Sequence, residues 1–163
     1  MSVHQLTRIA LMACIMQVVF GSFSSILYLE CITLTVVVFA MTFPTQEAVL
    51  ASLVFGLMNM VLRQGITPWS IMYLLVYSIY SLLIGLLKKK LQDHLILTSL
   101  LCGFLAFLTG QLLEVPFLFV SKNITILYLM MGLKVSLVQG GMAFVQCLLL
   151  YKILHQTLKK IIN

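Results

Sequence analysis

The chain has 163 residues, of which 62% are hydrophobic and 9% charged, and its formal net charge is +6. Soluble proteins are about a quarter charged, so this composition excludes the soluble fold classes and predicts an all-α integral membrane protein. We assign the positive charge to short loops beside the bilayer and not to a nucleic-acid interface, because lysine and arginine collect next to membrane spans.

Six apolar stretches fill the chain, and a spanning helix needs about 20 such residues. The first stretch is apolar for longer than the core of a signal peptide, so we expect it to remain as a span. Pro44 ends the second span, and Thr45 is expected to cap the third. Thr67 is expected to cap the fourth, with Pro68 in its first turn. The predicted spans cover residues 6–26, 29–43, 46–62, 68–87, 95–113 and 124–158.

The connecting loops are short, so residues 1–163 are expected to form one transmembrane domain. If the N-terminus is cytoplasmic, seven basic residues lie at cytoplasmic ends and two in outer loops. The seven are Arg8, Lys88, Lys89, Lys90, Lys152, Lys159 and Lys160, and the two are Arg63 and Lys122. The positive-inside rule therefore predicts six spans with both termini in the cytoplasm.

Lys134 is the charged residue that lies deepest in a predicted span, about ten residues or roughly 15 Å below the outer surface. A cation at that depth costs at least about 3 kcal/mol unless it is paired, hydrated or able to reach the interface. Two interpretations stay open. Lys134 either forms a structural ion pair with Glu30 or Glu114, or it contacts substrate or a gate.

Glu30, Arg63 and Glu114 lie at the outer ends of spans two, three and five. Together with Lys134 beneath them, they can line a pocket that opens outward. The alternative is that their side chains only reach towards the headgroups, as long charged side chains do at interfaces.

An aromatic stripe follows one face of the fourth span. Trp69, Tyr73, Tyr77 and Tyr80 are spaced by four, four and three residues, which places them on one helical face. Rings that carry hydroxyl groups suit a flat, polar ligand, although ordinary helix packing explains the same pattern. Asn59, Gln111 and Gln139 are secondary site candidates, because amides also bond across helix interfaces.

A narrow face of the first span carries small residues, namely Ala10, Ala13 and Cys14. Small residues let helices approach closely, so this face predicts docking of a partner membrane helix or packing inside this protein.

The sequence indicates no enzyme, resident cofactor or metal site. His4, His94 and His155 fall at predicted cytoplasmic edges, and the cysteines show no paired spacing. The sequence contains no nucleotide-binding loop of the GxxxxGKS type, so energy from ATP would require another chain.

The whole chain resembles the S component, the substrate-binding subunit, of energy-coupling factor transporters. The resemblance rests on the length, the six predicted spans and four stretches of sequence. These are residues 10–14, residues 28–30, residues 56–59 and the segment 65–69 followed by Tyr73. In that family an AxxxA motif on the first span docks the T component, and here Ala10 is followed by Cys14 at the fourth position.

The resemblance implies a multi-pass protein of the bacterial plasma membrane that binds a water-soluble vitamin from outside. Its partners would be a transmembrane T component and two ATPases, on which it reorients to release substrate inward. The implied binding residues, with the stripe residue Tyr77, are Tyr28, Glu30, Trp69, Tyr73, Gln111, Glu114, Lys122 and Lys134. Overall similarity favours cobalamin, while pantothenate, pyridoxine and a hydroxymethylpyrimidine remain open.

Two rival functions fit the same sequence. A small secondary carrier or channel would move solute without an ATPase, and a membrane scaffold would bind no ligand at all.

Overall fold

The computed structural model describes residues 1–23, 26 and 29–162. Within these residues the protein consists of helices and their connections, without strands. The helices are α1 (Val3–Phe23), α2 (Ile32–Thr42), α3 (Thr45–Asn59), α4 (Pro68–Leu91), α5 (Leu95–Leu112) and α6 (Lys122–Ile162). A π-helical turn (Met60–Gln64) follows α3, and a 3-10 turn (Val115–Phe119) precedes α6. The prediction of an all-α protein is confirmed over the described residues.

Five helical segments among the described residues are long and apolar enough to cross a membrane, as in a multi-pass membrane protein. They are Val3–Phe23, Thr45–Arg63, Pro68–Leu91, Leu95–Phe119 and Lys122–Lys160. The exception is α2, whose 11 residues rise only about 16 Å, roughly half the hydrocarbon thickness. The second predicted span is therefore a half-length helix, preceded by non-helical residues 29–31.

The short helix α2 lies at the centre of the bundle. It contacts each of the other five helices, and nine of its 11 residues are buried. A helix that is apolar on all sides is enclosed by protein or by lipid, and α2 is enclosed by the other helices. Because α2 fills only half the length of the bundle, the other half of the centre is left to loop residues and side chains.

Successive helices run antiparallel because their connections are short. Val3 and Ile162 therefore lie at one end of the bundle, which we call the terminal end, and the opposite end is the loop end. At the terminal end, Thr42 Oγ1 lies 2.8 Å from His155 Nδ1 and ties α2 to α6.

The helix caps agree with the sequence at one position and differ at another. Thr67 and Ser70 form a capping box at the start of α4, with Pro68 in the first turn, as predicted. The predicted cap at Thr45 is wrong, because α3 begins at Thr45 and its N-cap position is Pro44. Proline has no side-chain acceptor, so the start of α3 has no side-chain cap.

Glycines bring α5 and α6 into backbone contact. A Cβ added at Gly103 would lie 2.7 Å from the carbonyl oxygen of Gly140, and one added at Gly140 would lie 2.8 Å from that of Gly103. Contacts this close require glycine on both helices.

Candidate functional site

A cavity of about 160 Å³ lies in the loop-end half of the bundle, where α2 is missing from the centre. Its walls come from α1, α4, α5, α6 and the segment that precedes α2. The cavity reaches Tyr77, which is nine residues, or about 14 Å, along α4 from Pro68. The half-length helix therefore creates an internal site among longer helices.

Glu30 is the acidic residue of this cavity. Its Oε1 accepts hydrogen bonds from Thr33 Oγ1 at 2.5 Å and from the Tyr77 hydroxyl at 3.3 Å. Its Oε2 is buried and has no hydrogen-bond partner among the described residues. A buried carboxyl oxygen without a donor is costly, so the site retains capacity to bind a donor from outside the chain.

Aromatic rings form much of the remaining wall. Tyr73 and Tyr77 stack with centroids 5.9 Å apart and planes 20° apart. Phe20 of α1 meets Tyr73 edge to face at 5.3 Å. Thr109 of α5 and Gln139 of α6 also line the cavity, so it combines ring faces with a few polar groups.

Only two of the four residues in the predicted aromatic stripe of α4 line the cavity. Tyr73 and Tyr77 line the cavity, as the ligand interpretation expects. Trp69 instead packs edge to face on Phe117 at 5.3 Å, near the loop end. Tyr80 packs towards α5, where its hydroxyl donates to the carbonyl oxygen of Leu105 at 3.1 Å.

Besides Trp69, the predicted site residues Gln111, Glu114 and Lys134 also lie outside the cavity walls. Gln111 donates from Nε2 to Ser136 Oγ at 2.8 Å, between α5 and α6. Glu114 lies beside Gly132 at the same interface. The Lys134 side chain is exposed, and no carboxylate among the described residues lies within ion-pair distance of it. The structure therefore does not form the considered pairs of Lys134 with Glu30 or Glu114.

Tyr28 and Lys122 are the remaining predicted binding residues. Tyr28 lies outside the described residues. Lys122 is the first residue of α6 and is exposed at the loop end, away from the cavity walls.

Sequence reasoning missed Phe20, Cys31 and Thr109 as wall residues. None carries a charge or an unusual spacing, and each looks like an ordinary packing residue in an apolar span. The available signal was the weak helix formers Gly21 and Ser22, which lie in the last turn of α1 next to Phe20.

The three small residues predicted to form one face of α1 differ in their exposure. Ala10 and Cys14 are exposed on the outside of the bundle. Ala13 is fully buried, so its assignment to a docking surface is wrong and it packs inside the protein. Residues spaced by four share a helix face, whereas Ala13 is turned towards the core.

Among the described residues, no group of three histidine, cysteine or acidic side chains is placed to hold a metal ion. Comparison with protein-family models, curated proteins and solved structures finds no match to this chain. Function must therefore be inferred from the cavity and its side chains.

Proposed function

We propose that this chain is the substrate-binding membrane subunit of an energy-coupling factor transporter in a bacterial plasma membrane. It binds a compact, water-soluble, vitamin-like ring compound from outside. A transmembrane T component and two ATPases then drive release into the cell, and this chain catalyses no reaction. The observation that carries the proposal is the cavity above α2, with its buried carboxylate and ring walls.

The interrupted second span supports a binding role. Non-helical backbone at membrane depth is tolerated where it is buried in protein or lines a cavity, and broken helices mark binding sites in transporters. Residues 29–31 have this character, since they are non-helical and line the cavity directly above α2.

The distribution of charge supports the orientation of the site. The terminal end carries Arg8, Lys88, Lys89, Lys90, Lys152, Lys159 and Lys160. The positive-inside rule then puts both termini in the cytoplasm and the cavity in the outer half of the membrane. In this six-span arrangement, the non-helical residues 29–31 extend the crossing of α2 towards the outer face.

The size of the cavity supports a small ligand. Pockets for drug-sized molecules measure about 300–1000 Å³, and this cavity measures about 160 Å³. A compact ring compound therefore fits better than cobalamin, which would require the surrounding helices to move apart.

The exposed face of α1 supports docking on a T component. Ala10 and Cys14 are exposed one helical turn apart, and small side chains allow close approach of a second membrane helix.

The test begins with calorimetry and thermal-shift measurements of the purified chain against water-soluble vitamins, including cobalamin. A ligand that binds the folded form raises its unfolding temperature. Cys31→Phe, which fills the cavity, should abolish binding, whereas Cys14→Phe on the outside of α1 should leave it unchanged. Unfolding curves of both variants establish that each is folded.

Uptake into proteoliposomes then separates the proposal from its rivals. The proposal expects accumulation only when the T component, both ATPases and ATP are present. Sustained uptake by this chain alone would identify a stand-alone carrier. Folded protein that binds nothing in the panel would indicate a scaffold.

A further inference from the structure

We infer that the ligand of the cavity is a compact organic cation with a flat ring, held by Glu30 and the rings of Phe20, Tyr73 and Tyr77. The inference rests on the proposed function and adds the charge and chemical class of the substrate.

The charge of the walls gives the first reason. Among the described residues, the cavity is lined by the carboxyl of Glu30 and by no lysine, arginine or histidine. Its other titratable wall groups are Cys31, Tyr73 and Tyr77, none of which is a cation. Arg63 does not line the cavity, but its guanidinium lies 5.5 Å from the centroid of the wall ring Phe20, on the side where its Nη2 donates to the Gly21 carbonyl oxygen.

The hydrogen bonds of Glu30 give the second reason. Thr33 and Tyr77 both donate to Oε1, whereas Oε2 is buried without a partner among the described residues. A buried carboxyl without a counter-charge takes up a proton and becomes neutral, so a carboxylate at Glu30 requires a counter-charge. A cationic ligand with an N–H or an acidic C–H group directed at Oε2 would provide it.

The rings give the third reason. A cation within about 6 Å of an aromatic centroid is attracted to the ring face, and the attraction grows when water is excluded. Four rings, those of Phe20 and Phe23 from α1 and of Tyr73 and Tyr77 from α4, lie around the same small space as the carboxylate. The nearly parallel rings of Tyr73 and Tyr77 make a flat wall that suits a planar ligand.

The cavity excludes two other occupants that a carboxylate attracts. Calcium requires six to eight oxygen ligands and magnesium requires octahedral geometry, whereas one carboxylate lines this cavity. A long peptide does not fit, because the cavity of about 160 Å³ is smaller than pockets for drug-sized molecules. One six-membered ring with a short substituent matches that space.

The test compares three probes of similar shape and different charge. They are the cation N-methylpyridinium, the neutral N-methylpyridone and the anion benzoate. Equilibrium dialysis of the purified full chain should show the cation binding at least about tenfold more tightly than the neutral probe. Benzoate should not bind, because its charge repels Glu30.

Two matched variants test the role of Glu30. Glu30→Gln keeps the shape of the side chain and removes its charge, so it should reduce the affinity for the cation by at least about tenfold. It should leave the affinity for N-methylpyridone nearly unchanged. Glu114→Gln removes a carboxylate outside the cavity walls and should change neither affinity.

The outcomes separate this inference from the proposed function. Equal binding of the cation and the neutral probe, or an unchanged preference in Glu30→Gln, would overturn the cationic class while ligand binding itself stands. Failure of folded protein to bind any of the probes or any vitamin would overturn both. Binding of a vitamin as an anion would overturn the inference that the ligand is a cation, and the proposed function would stand.

Discussion

Arg8 of α1 and Glu47 of α3 form an ion pair, with 2.7 Å between Arg8 Nη2 and Glu47 Oε1. The Glu47 side chain is 5% exposed and that of Arg8 is 36% exposed. The arginine therefore neutralises an almost fully buried acid in the first turn of α3. Because α1 packs mainly against α2 and α3, this pair anchors α1 to the bundle at the terminal end.

Arg8→Met should destabilise the protein by about 2 kcal/mol, because it leaves the carboxylate of Glu47 buried without a counter-charge. Reversible unfolding in mixed detergent micelles measures the change. Lys152→Met removes an exposed cation from α6 and should have little effect. In the double variant Arg8→Met/Glu47→Leu, most of the lost stability should return. If Arg8→Met and Lys152→Met lowered the free energy of unfolding equally, the ion pair would not be important for stability.

Gly103→Ala should destabilise the protein by more than about 2 kcal/mol, because its new methyl group would overlap the Gly140 carbonyl and separate α5 from α6. Gly141→Ala is the matched control, since no atom lies within 4 Å of an added Cβ there. Gly141→Ala should leave the stability of the protein unchanged or raise it by up to about 1 kcal/mol, because alanine has the higher helix propensity. Thermal unfolding of both variants compares them, and similar stability would contradict the close contact.

Tyr73→Ala should weaken binding of the cavity ligand by at least about tenfold, because it removes a ring from the wall. Trp69→Ala and Lys134→Ala should each leave the affinity within about twofold, since both residues lie outside the walls. Calorimetry with the tightest ligand of the vitamin panel measures all three. Weaker binding in Lys134→Ala with unchanged binding in Tyr73→Ala would move the site towards α6.

Replacement of both Ala10 and Cys14 by leucine should abolish ATP-driven uptake and preserve ligand binding. Two large side chains on the exposed face of α1 would block close approach of the T component. Gly141→Leu, which adds the same bulk to an exposed position of α6, should support normal uptake. Ala13→Leu should act differently and reduce stability, because Ala13 is fully buried. Intact uptake in the Ala10/Cys14 variant would place the docking surface elsewhere.

Several features could be predicted from the sequence because they depend on local chemistry. Apolar runs bounded by prolines, glycines and charges predicted six helices, since the period and length of such runs are properties of neighbouring residues. The capping box at Thr67 and the shared face of Tyr73 and Tyr77 belong to the same class. Each follows from the geometry of a single helix and needs no knowledge of its neighbours.

The tertiary structure decided which of these residues meet. The sequence predicts a short second span, residues 29–43, but does not reveal that its helix begins only at Ile32, because residues 29–31 are nearly as apolar as those that follow, apart from Glu30. The length of α2 nevertheless creates the cavity and brings Glu30 to Tyr77, 47 positions away. Trp69 and Lys134 attracted notice by chemical type, yet packing turned one towards Phe117 and left the other exposed. The tendency of a segment to form a helix is a local property, whereas the start of α2 and the make-up of the site depend on how separate helices pack. Hydrophobic packing between two helices carries no marker in the sequence of either one.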